Sequence, residues 1–130
     1  MSNGIVTGIE HLAIFSPNTA TLKDWYMSMF GFTQVYDNGK GTYFLKAQDG
    51  AMIEFVTAED EKTDNGAKTS GIRHIAIGVT MDGFVAMVDK LRAAKVEVVT
   101  EPVEGNGYKT FFFRDIEGNV LHLIARDKPL

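Results

Sequence analysis

The pattern of apolar and polar positions in the first half of the chain predicts a strand, a helix and three further strands. The segment Ile9–Phe15 alternates and is rich in branched residues, as strands are, and Ser16-Pro17-Asn18 then breaks it and offers a helix cap. Large apolar side chains follow at spacings of three and four, at Leu22, Trp25, Tyr26, Met29 and Phe30. Gly31 ends this helix. The later strands are predicted at Phe32–Tyr36, Thr42–Ala47 and Met52–Thr57.

The second half of the chain repeats this order of elements. A strand over Ile72–Val79 precedes a helix over Met81–Ala94. The inward face of that helix is predicted to carry Phe84, Val88 and Leu91. The last three strands are predicted at Glu97–Thr100, Lys109–Arg114 and Asn119–Ala125. The polar segment Glu59–Ser70 lacks periodicity, and we interpret residues 59–70 as a linker.

Two sequence blocks occur in both halves in the same order. Gly8–Ile14 (GIEHLAI) matches Gly71–Ile77 (GIRHIAI), and Asp49–Val56 (DGAMIEFV) matches Glu117–Ile124 (EGNVLHLI). Ordered matches of this kind are typical of an internal repeat. They predict an α+β domain over residues 1–130, built from two tandem βαβββ modules at about residues 8–58 and 71–126.

Composition and charge restrict the classes of function. A chain of 130 residues, 45% of them hydrophobic, is long enough for one domain with its own core. It has no apolar run that could span a bilayer and no leader-like start at Met1–Gly8, so we expect a cytoplasmic protein without a membrane partner. The net charge of −4 and the scattered Lys and Arg residues argue against nucleic acid as a partner. Because the chain has no cysteine, a metal ion would be held by His, Asp or Glu.

All three histidines lie inside the repeated blocks. His11 and His74 hold the same place in the first strand of each module, while Glu54 and His122 hold the same place in the last strand. Alternation puts these four side chains on the face opposite the apolar residues expected to pack under the helices, namely Leu12, Ile14, Ile53, Phe55, Ile75, Ile77, Leu121 and Leu123. If the first and last strands of each module are neighbours, the four groups converge.

This quartet has two interpretations. A single histidine in an apolar strand is more often a buried, hydrogen-bonded residue than a metal ligand. Glu54 lies between Ile53 and Phe55, however, where an unpaired carboxylate would be costly to bury. Clustered imidazole and carboxylate groups therefore favour a divalent metal site. Glu10 and Arg73 occupy equivalent positions, which alternation assigns to the helix-facing side.

The sequence resembles the vicinal oxygen chelate superfamily, which includes glyoxalase I, bleomycin resistance proteins and extradiol dioxygenases. The resemblance runs from Gly8 to about Arg126 and rests on short motifs, which are Gly8–His11, Trp25-Tyr26, Phe30–Phe32, Met52–Phe55, Ile72–Ala76 and Asp115–His122. It implies a curved, cup-like sheet of eight strands with the helices outside, around one divalent metal ion, commonly in a homodimer. His11, Glu54 and His74 match the family's first three ligand positions, and His122 stands where the metalloenzymes usually have glutamate.

The resemblance implies a divalent-metal-dependent enzyme. A lyase or isomerase acting on a small oxygen-rich substrate through a metal-stabilised enediolate is expected first, with Glu54 as the catalytic base and Ni, Zn, Co, Mn or Fe as the metal. An Fe- or Mn-dependent dioxygenase and a protein that sequesters an antibiotic without catalysis are the alternatives. The predicted substrate pocket comprises Tyr43, Lys46, Tyr108, Lys109, Phe111, Phe113 and Arg114. Gly105-Asn106-Gly107 before Tyr108 is either a mobile flap or an exposed hairpin loop.

Overall fold

The chain divides into two compact units of the same construction. The computed structural model describes residues 4–60 and 70–130. Unit 1 comprises Met1–Glu61 and unit 2 comprises Lys62–Leu130. Each unit contains one strand, one helix and three further strands, in that order, and its four strands form one sheet. The predicted α+β fold of two βαβββ modules is therefore confirmed. Positions 61–69 of the predicted linker lie outside the described residues.

Unit 1 is a four-stranded sheet with one helix. Its elements are β1 (His11–Ser16), α1 (Thr19–Phe30), β2 (Thr33–Asp37), β3 (Tyr43–Lys46) and β4 (Met52–Thr57). The strand order is β1-β4-β3-β2, with β1 parallel to β4 and the other pairs antiparallel. The side chain of Asn18 accepts a hydrogen bond from the Thr21 backbone N–H at the start of α1, as the sequence predicted. Tyr26 of α1 packs edge-on against Phe55 of β4, and both are fully buried.

Unit 2 repeats this arrangement. Its elements are β5 (Ile75–Gly78), α2 (Phe84–Ala93), β6 (Val98–Gly105), β7 (Tyr108–Arg114) and β8 (Val120–Arg126). The strand order is β5-β8-β7-β6. The residues predicted to face inward from α2 are buried, and they are Phe84, Val88 and Leu91. In the described part of the chain, neither helix is long and apolar enough to cross a bilayer.

The strand β6 is longer than predicted. It continues from the expected end at Thr100 through Pro102 to Gly105. Two register shifts interrupt its pairing with β7, and β6 lies at the edge of its sheet, where the missing N–H of a proline is tolerated. Gly105 pairs with Tyr108, so the segment between them is a hairpin turn rather than a separate flap. The Gly107 carbonyl also accepts a hydrogen bond from the Asp127 backbone N–H.

Alternation predicts the two faces of β4 and β8 correctly. Ile53 and Phe55 in β4 are buried under α1, and Leu121 and Leu123 in β8 are fully buried. The prediction is wrong for Leu12, which is 38% exposed. Because β1 and β5 lie at the edges of their sheets, their apolar side chains have a strand neighbour on one side only. We call the side of each sheet that carries Glu54 or His122 the ligand face, and the other side the helix face.

Candidate metal centre

The strand pairing brings the candidate ligands of each unit together. The first and last strands of each module are neighbours, which confirms the adjacency expected from the sequence. Ala13 pairs with Glu54 in unit 1, and Ala76 pairs with His122 in unit 2. These pairs are equivalent in the repeat. Since side chains two residues apart in a strand share a face, His11 in β1 points towards Glu54 on the neighbouring strand. His74 directly precedes β5, and its ring contacts His122.

In unit 1, His11 and Glu54 face each other. The Nε2 atom of His11 lies 3.5 Å from Oε1 of Glu54. The Nδ1 atom of His11 lies 2.6 Å from Oε1 of Glu10, and because a carboxylate only accepts hydrogen bonds, Nδ1 carries the proton. In the neutral ring, Nε2 then presents its lone pair. Ligand bonds of about 2.0–2.2 Å to one ion place two ligand atoms roughly 3.0–3.5 Å apart, so this pair fits a shared cation.

In unit 2, two histidine rings meet. The centroids of His74 and His122 lie 4.5 Å apart, with one ring edge against the face of the other. The Nδ1–H of His122 donates to the Leu123 carbonyl oxygen over 3.1 Å, which leaves the lone pair on Nε2. The Nδ1 atom of His74 is buried and has no hydrogen-bond partner among residues 4–60 and 70–130. A buried polar atom without a partner costs about 1–3 kcal/mol, so we expect a bound group at this ring.

The environment of both histidines favours their neutral form. Burial lowers the pKa of His74 below its ordinary value, and the positive charge of Arg73 lowers it further. Burial is also the main cause that lowers the pKa of His122, with contributions from His74, Arg73 and Arg126 that outweigh the opposing hydrogen bond to the Leu123 carbonyl. The neutral imidazole is the form that binds a metal ion. Unit 2 therefore offers two uncharged nitrogen donors at neutral pH.

Two phenylalanines that were not predicted flank the candidate ligands. Phe44 in β3 pairs with Glu54, and Phe112 in β7 pairs with His122. The Phe44 ring meets His11 edge-on at a centroid distance of 5.1 Å. The Phe112 ring stacks on His122 at 4.3 Å and meets the edge of His74 at 5.5 Å. An alignment of the third strand of each module would have identified both rings, since they are equivalent in the repeat.

The residues predicted for the substrate pocket in β7 are divided between the two faces of the sheet. Tyr108 and Arg114 share the ligand face with His122, whereas Lys109, Phe111 and Phe113 lie on the helix face. Both of these phenylalanines are fully buried and stack on each other. The guanidinium of Arg114 pairs with Glu97 at 3.1 Å and donates to the Gly118 carbonyl oxygen at 2.7 Å.

The predicted pocket residues of unit 1 are also divided. Tyr43 pairs with Phe55 on the helix face, where the Lys23 ammonium lies 4.9 Å from the centre of the Tyr43 ring. Lys46 is exposed and pairs with Met52 on the ligand face. The structure therefore places Lys46, Tyr108 and Arg114 on ligand faces, and the pocket as a whole stays a prediction.

A shallow concavity lies on the ligand face of unit 2. Its lining residues are Arg73, Val99, Thr100, Phe112, Arg114 and Val120. The Arg73 guanidinium carbon lies 5.8 Å from the centre of the Phe112 ring. The prediction that Arg73 lies on the helix-facing side is therefore wrong. Arg73 precedes β5, so strand alternation does not fix the direction of its side chain.

Each unit contributes one pair of candidate ligands. Among the residues that the structure describes, no three His, Asp or Glu side chains form a cluster that could hold a metal ion. The pairs are His11 with Glu54 and His74 with His122, and their convergence on one ion stays a prediction. The donors themselves, three imidazoles and one carboxylate, fit a divalent transition metal, as do the 3.5 Å separation in unit 1 and the unpartnered Nδ1 of His74.

The sequence match to known families covers most of the chain. The model of the Glyoxalase/Bleomycin resistance protein/Dioxygenase superfamily matches residues 8–123. The chain therefore belongs to this superfamily, which confirms the resemblance found in its motifs. No curated protein matches the chain by sequence.

Solved structures share the fold at low sequence identity. A glyoxalase/dioxygenase from Nostoc punctiforme is 13% identical, with a TM-score of 0.83 over 98% of this chain and 97% of that chain. A domain from Frankia sp., described as glyoxylase/bleomycin resistance protein/dioxygenase, is 17% identical, with a TM-score of 0.77 over 96% of each chain. A mutant of the fosfomycin resistance protein FosX from Listeria monocytogenes, in complex with Mn(II) and 1S,2S-dihydroxypropylphosphonic acid, is 14% identical, with a TM-score of 0.75 over 97% of this chain and 94% of that chain. At these identities the likeness shows the fold alone.

Proposed function

We propose that this chain is a divalent-metal-dependent lyase or isomerase that acts on a small, oxygen-rich substrate. The observation that carries the proposal is the pair formed by His11 Nε2 and Glu54 Oε1, 3.5 Å apart. Neither atom carries a hydrogen when the ring is neutral, so the two cannot bond to each other, and a cation is the partner that suits both. His74 and His122 supply the remaining donors.

A bound divalent ion would supply positive charge to an oxygen on which negative charge develops during the reaction. His11 and Glu54 of unit 1 and His74 and His122 of unit 2 would supply its protein donors. A substrate with two neighbouring oxygens would suit such an ion, because both oxygens could bind beside the protein donors.

Glu54 is the residue we assign to proton transfer. It is the only carboxylate among the four donors, and its side chain is 24% exposed. Its carboxylate takes the proton from a C–H bond beside a carbonyl group, and the bond electrons move towards the carbonyl oxygen. The same carboxyl group returns the proton to the former carbonyl carbon, and the hydroxyl proton on the first carbon passes to the former carbonyl oxygen. A hydroxy-carbonyl substrate thus becomes its isomer, and no other reactant is consumed. His122 is unsuited to this role, because its Nδ1–H is bound to the Leu123 carbonyl oxygen and its Nε2 would bind the metal. Glu54 would bind through Oε1, and its second carboxylate oxygen could still take a proton.

The donor set also supports a second candidate. Three imidazoles and one carboxylate suit Fe(II) or Mn(II), the metals that oxygen-using enzymes hold in His and carboxylate sites. A dioxygenase is therefore the alternative reaction at the same residues. We further propose a cytoplasmic homodimer with a small-molecule substrate, without membrane or nucleic-acid partners. Sequestration of an antibiotic is the outcome we expect only if no metal is bound.

The test begins with elemental analysis of untagged protein purified without chelator. We expect close to one transition-metal ion per site in the wild type and a loss of that ion in the His11→Ala/His74→Ala double variant. Metal-loaded protein is then assayed with hemithioacetals of 2-oxoaldehydes and, by oxygen uptake, with catechols. Glu54→Gln is expected to abolish turnover, whereas Glu59→Gln, an exposed control, leaves it unchanged.

The outcomes separate the candidates. Turnover of a hemithioacetal that requires Glu54 supports the lyase or isomerase, and oxygen uptake with bound iron or manganese supports the dioxygenase. A protein that neither contains nor takes up a transition metal would overturn both reactions and leave the sequestering function.

A further inference from the structure

Glu10 makes a short contact that the proposed reaction does not use. Its Oε1 atom accepts a hydrogen bond of 2.6 Å from Nδ1 of His11. A bond of this length to a charged acceptor is stronger than one between neutral groups. The His11 ring is held on a second side by the edge contact with Phe44. The ring of this candidate ligand therefore has a defined tautomer and a defined orientation.

A carboxylate on the remote nitrogen of a metal-binding histidine has known physical consequences. It keeps the proton on Nδ1, directs the Nε2 lone pair at the metal and makes that nitrogen more basic. We propose that Glu10 is a positioning residue of the metal site, which orders His11 for binding before any metal arrives. This inference rests on the proposed function for its metal, but the order imposed on His11 is a property of the metal-free chain.

The equivalent position in unit 2 has the opposite charge. The sequence places Arg73 before His74 where unit 1 has Glu10 before His11. The Nδ1 atom of His74 has no hydrogen-bond partner in the described part of the chain, and the Arg73 guanidinium lies over Phe112 instead. The two pairs of ligands therefore differ. In unit 1 the ligand pair includes the oriented His11 and has two carboxylates, those of Glu54 and Glu10. In unit 2 the ligand pair is two uncharged imidazoles beside the Arg73 guanidinium. Glu10 therefore orders the pair that attracts a cation more strongly.

The experiment compares Glu10→Gln, Glu10→Ala and the repeat-matched control Arg73→Gln. The first readout is the tautomer of His11 in metal-free protein at a pH where the ring is neutral, followed by nitrogen-15 NMR of the imidazole. We expect the Nδ1–H form in the wild type, the same form in Glu10→Gln, whose amide oxygen still accepts, and a mixture of tautomers in Glu10→Ala. Since the Glu10 side chain is 74% exposed, neither variant should impair folding, and thermal unfolding checks this.

The second readout is the affinity for Zn(II), measured by competition with a chromophoric chelator. Loss of such a partner typically weakens metal binding by about 10–100-fold, and we expect about tenfold for Glu10→Ala because the carboxylate is exposed. Glu10→Gln should lose less. Arg73→Gln should bind zinc at least as tightly as the wild type, because it removes a positive charge near His74 and His122.

An unchanged tautomer in Glu10→Ala would overturn the inference, as would zinc affinity within about twofold of the wild type. A loss in Arg73→Gln as large as in Glu10→Ala would overturn the difference between the two pairs. If the wild type binds no metal at all, the proposed function fails, while the tautomer measurement still decides whether Glu10 orders His11.

Discussion

The ring of Phe112 stacks on the ring of His122, with the centroids 4.3 Å apart and the planes 9° from parallel. The two residues are directly opposite each other on the neighbouring strands β7 and β8. The Nδ1–H of His122 is held at the same time by the Leu123 carbonyl oxygen, and His122 is only 8% exposed. This ring is therefore fixed by a hydrogen bond at one edge and by an aromatic contact on one face.

We expect Phe112→Leu to weaken metal binding. The substitution keeps an apolar side chain on the ligand face but removes the stacked ring, and an aromatic pair is worth about 0.5–1.5 kcal/mol. If that energy orders His122 for binding, its loss corresponds to roughly a 2–10-fold lower affinity. Competition with a chromophoric chelator measures the affinity.

Phe44→Leu is the matched control for this prediction. Phe44 meets His11 only edge-on, and His11 is also held by Glu10, so we expect a smaller loss than in Phe112→Leu. Equal losses in both variants would show that the aromatic rings contribute through general packing rather than through the order of His122.

The contact between the candidate ligands in each unit could be predicted from the sequence. The repeated blocks placed His11 and Glu54 in strands of known direction, and alternation placed both side chains opposite the apolar residues that pack under the helix. Only the adjacency of the first and last strands had to be assumed. The prediction succeeded because both strands are short, regular and strongly patterned.

The residues of β7 on the ligand face could not be predicted, because the sequence of this strand carries no alternation. Phe111, Phe112 and Phe113 are identical side chains, and a shift of register by one residue exchanges the two faces of a strand. In the structure Phe112 pairs with His122 and so lies on the ligand face, whereas Phe111 and Phe113 lie in the core. The contact between Glu10 and His11 was missed for another reason. Glu10 precedes β1, where no strand geometry constrains its side chain.

We expect the metal-free protein to lose stability as the pH falls below about 6.5. The pKa values of His74 and His122 are lowered in the folded protein from the ordinary 6.5, chiefly by burial. Below that pH the unfolded chain binds more protons at these residues than the folded chain does, so the free energy of unfolding decreases. Above about pH 6.5 both histidines are neutral in the folded and in the unfolded chain, so their contribution to the free energy of unfolding is fully retained.

Urea unfolding of the chelator-treated protein at about pH 5.5 and pH 7.5 measures this effect. The His74→Gln/His122→Gln double variant should show a smaller difference between the two pH values than the wild type. An equal difference in both proteins would mean that other groups, such as carboxylates, cause the pH dependence.

The ends of the two helices differ in a way that predicts opposite effects of substitution. Gly31 ends α1 in the left-handed conformation, with φ 71°, and Lys95 follows α2 with φ 61°. A side chain in this conformation costs about 1–2 kcal/mol. We therefore expect Gly31→Ala to lower the free energy of unfolding by about 1 kcal/mol and Lys95→Gly to raise it by about the same amount.

Urea unfolding measures both changes, and Lys95→Ala is the control. Alanine removes the lysine side chain but keeps the cost of the left-handed backbone, so it should not stabilise the protein as glycine does. A Cβ atom at Gly31 would meet nothing within 4 Å, so the cost of Gly31→Ala comes from the backbone alone. Equal stabilisation by Gly and Ala at position 95 would assign the effect to the lysine side chain instead.

The turn before β8 is held by the carboxylate of Asp115. The Asp115 carboxylate accepts hydrogen bonds from the backbone N–H groups of Glu117 and Asn119 at 2.8 and 3.0 Å, and from the Asn119 side-chain amide at 2.8 Å. Asp115 is 5% exposed. Removing a charged acceptor from buried donors costs about 3 kcal/mol, so Asp115→Ala should lower the free energy of unfolding by that amount.

Asp115→Asn should destabilise less, because its amide oxygen still accepts from the backbone. Both oxygens of Asp115 are engaged within the turn, so neither variant should change the zinc affinity of the folded protein, measured at a temperature where each variant is fully folded. A variant of normal stability that has lost its metal would instead identify Asp115 as part of the site, and Asp115 would then join His122 as a ligand from this end of unit 2.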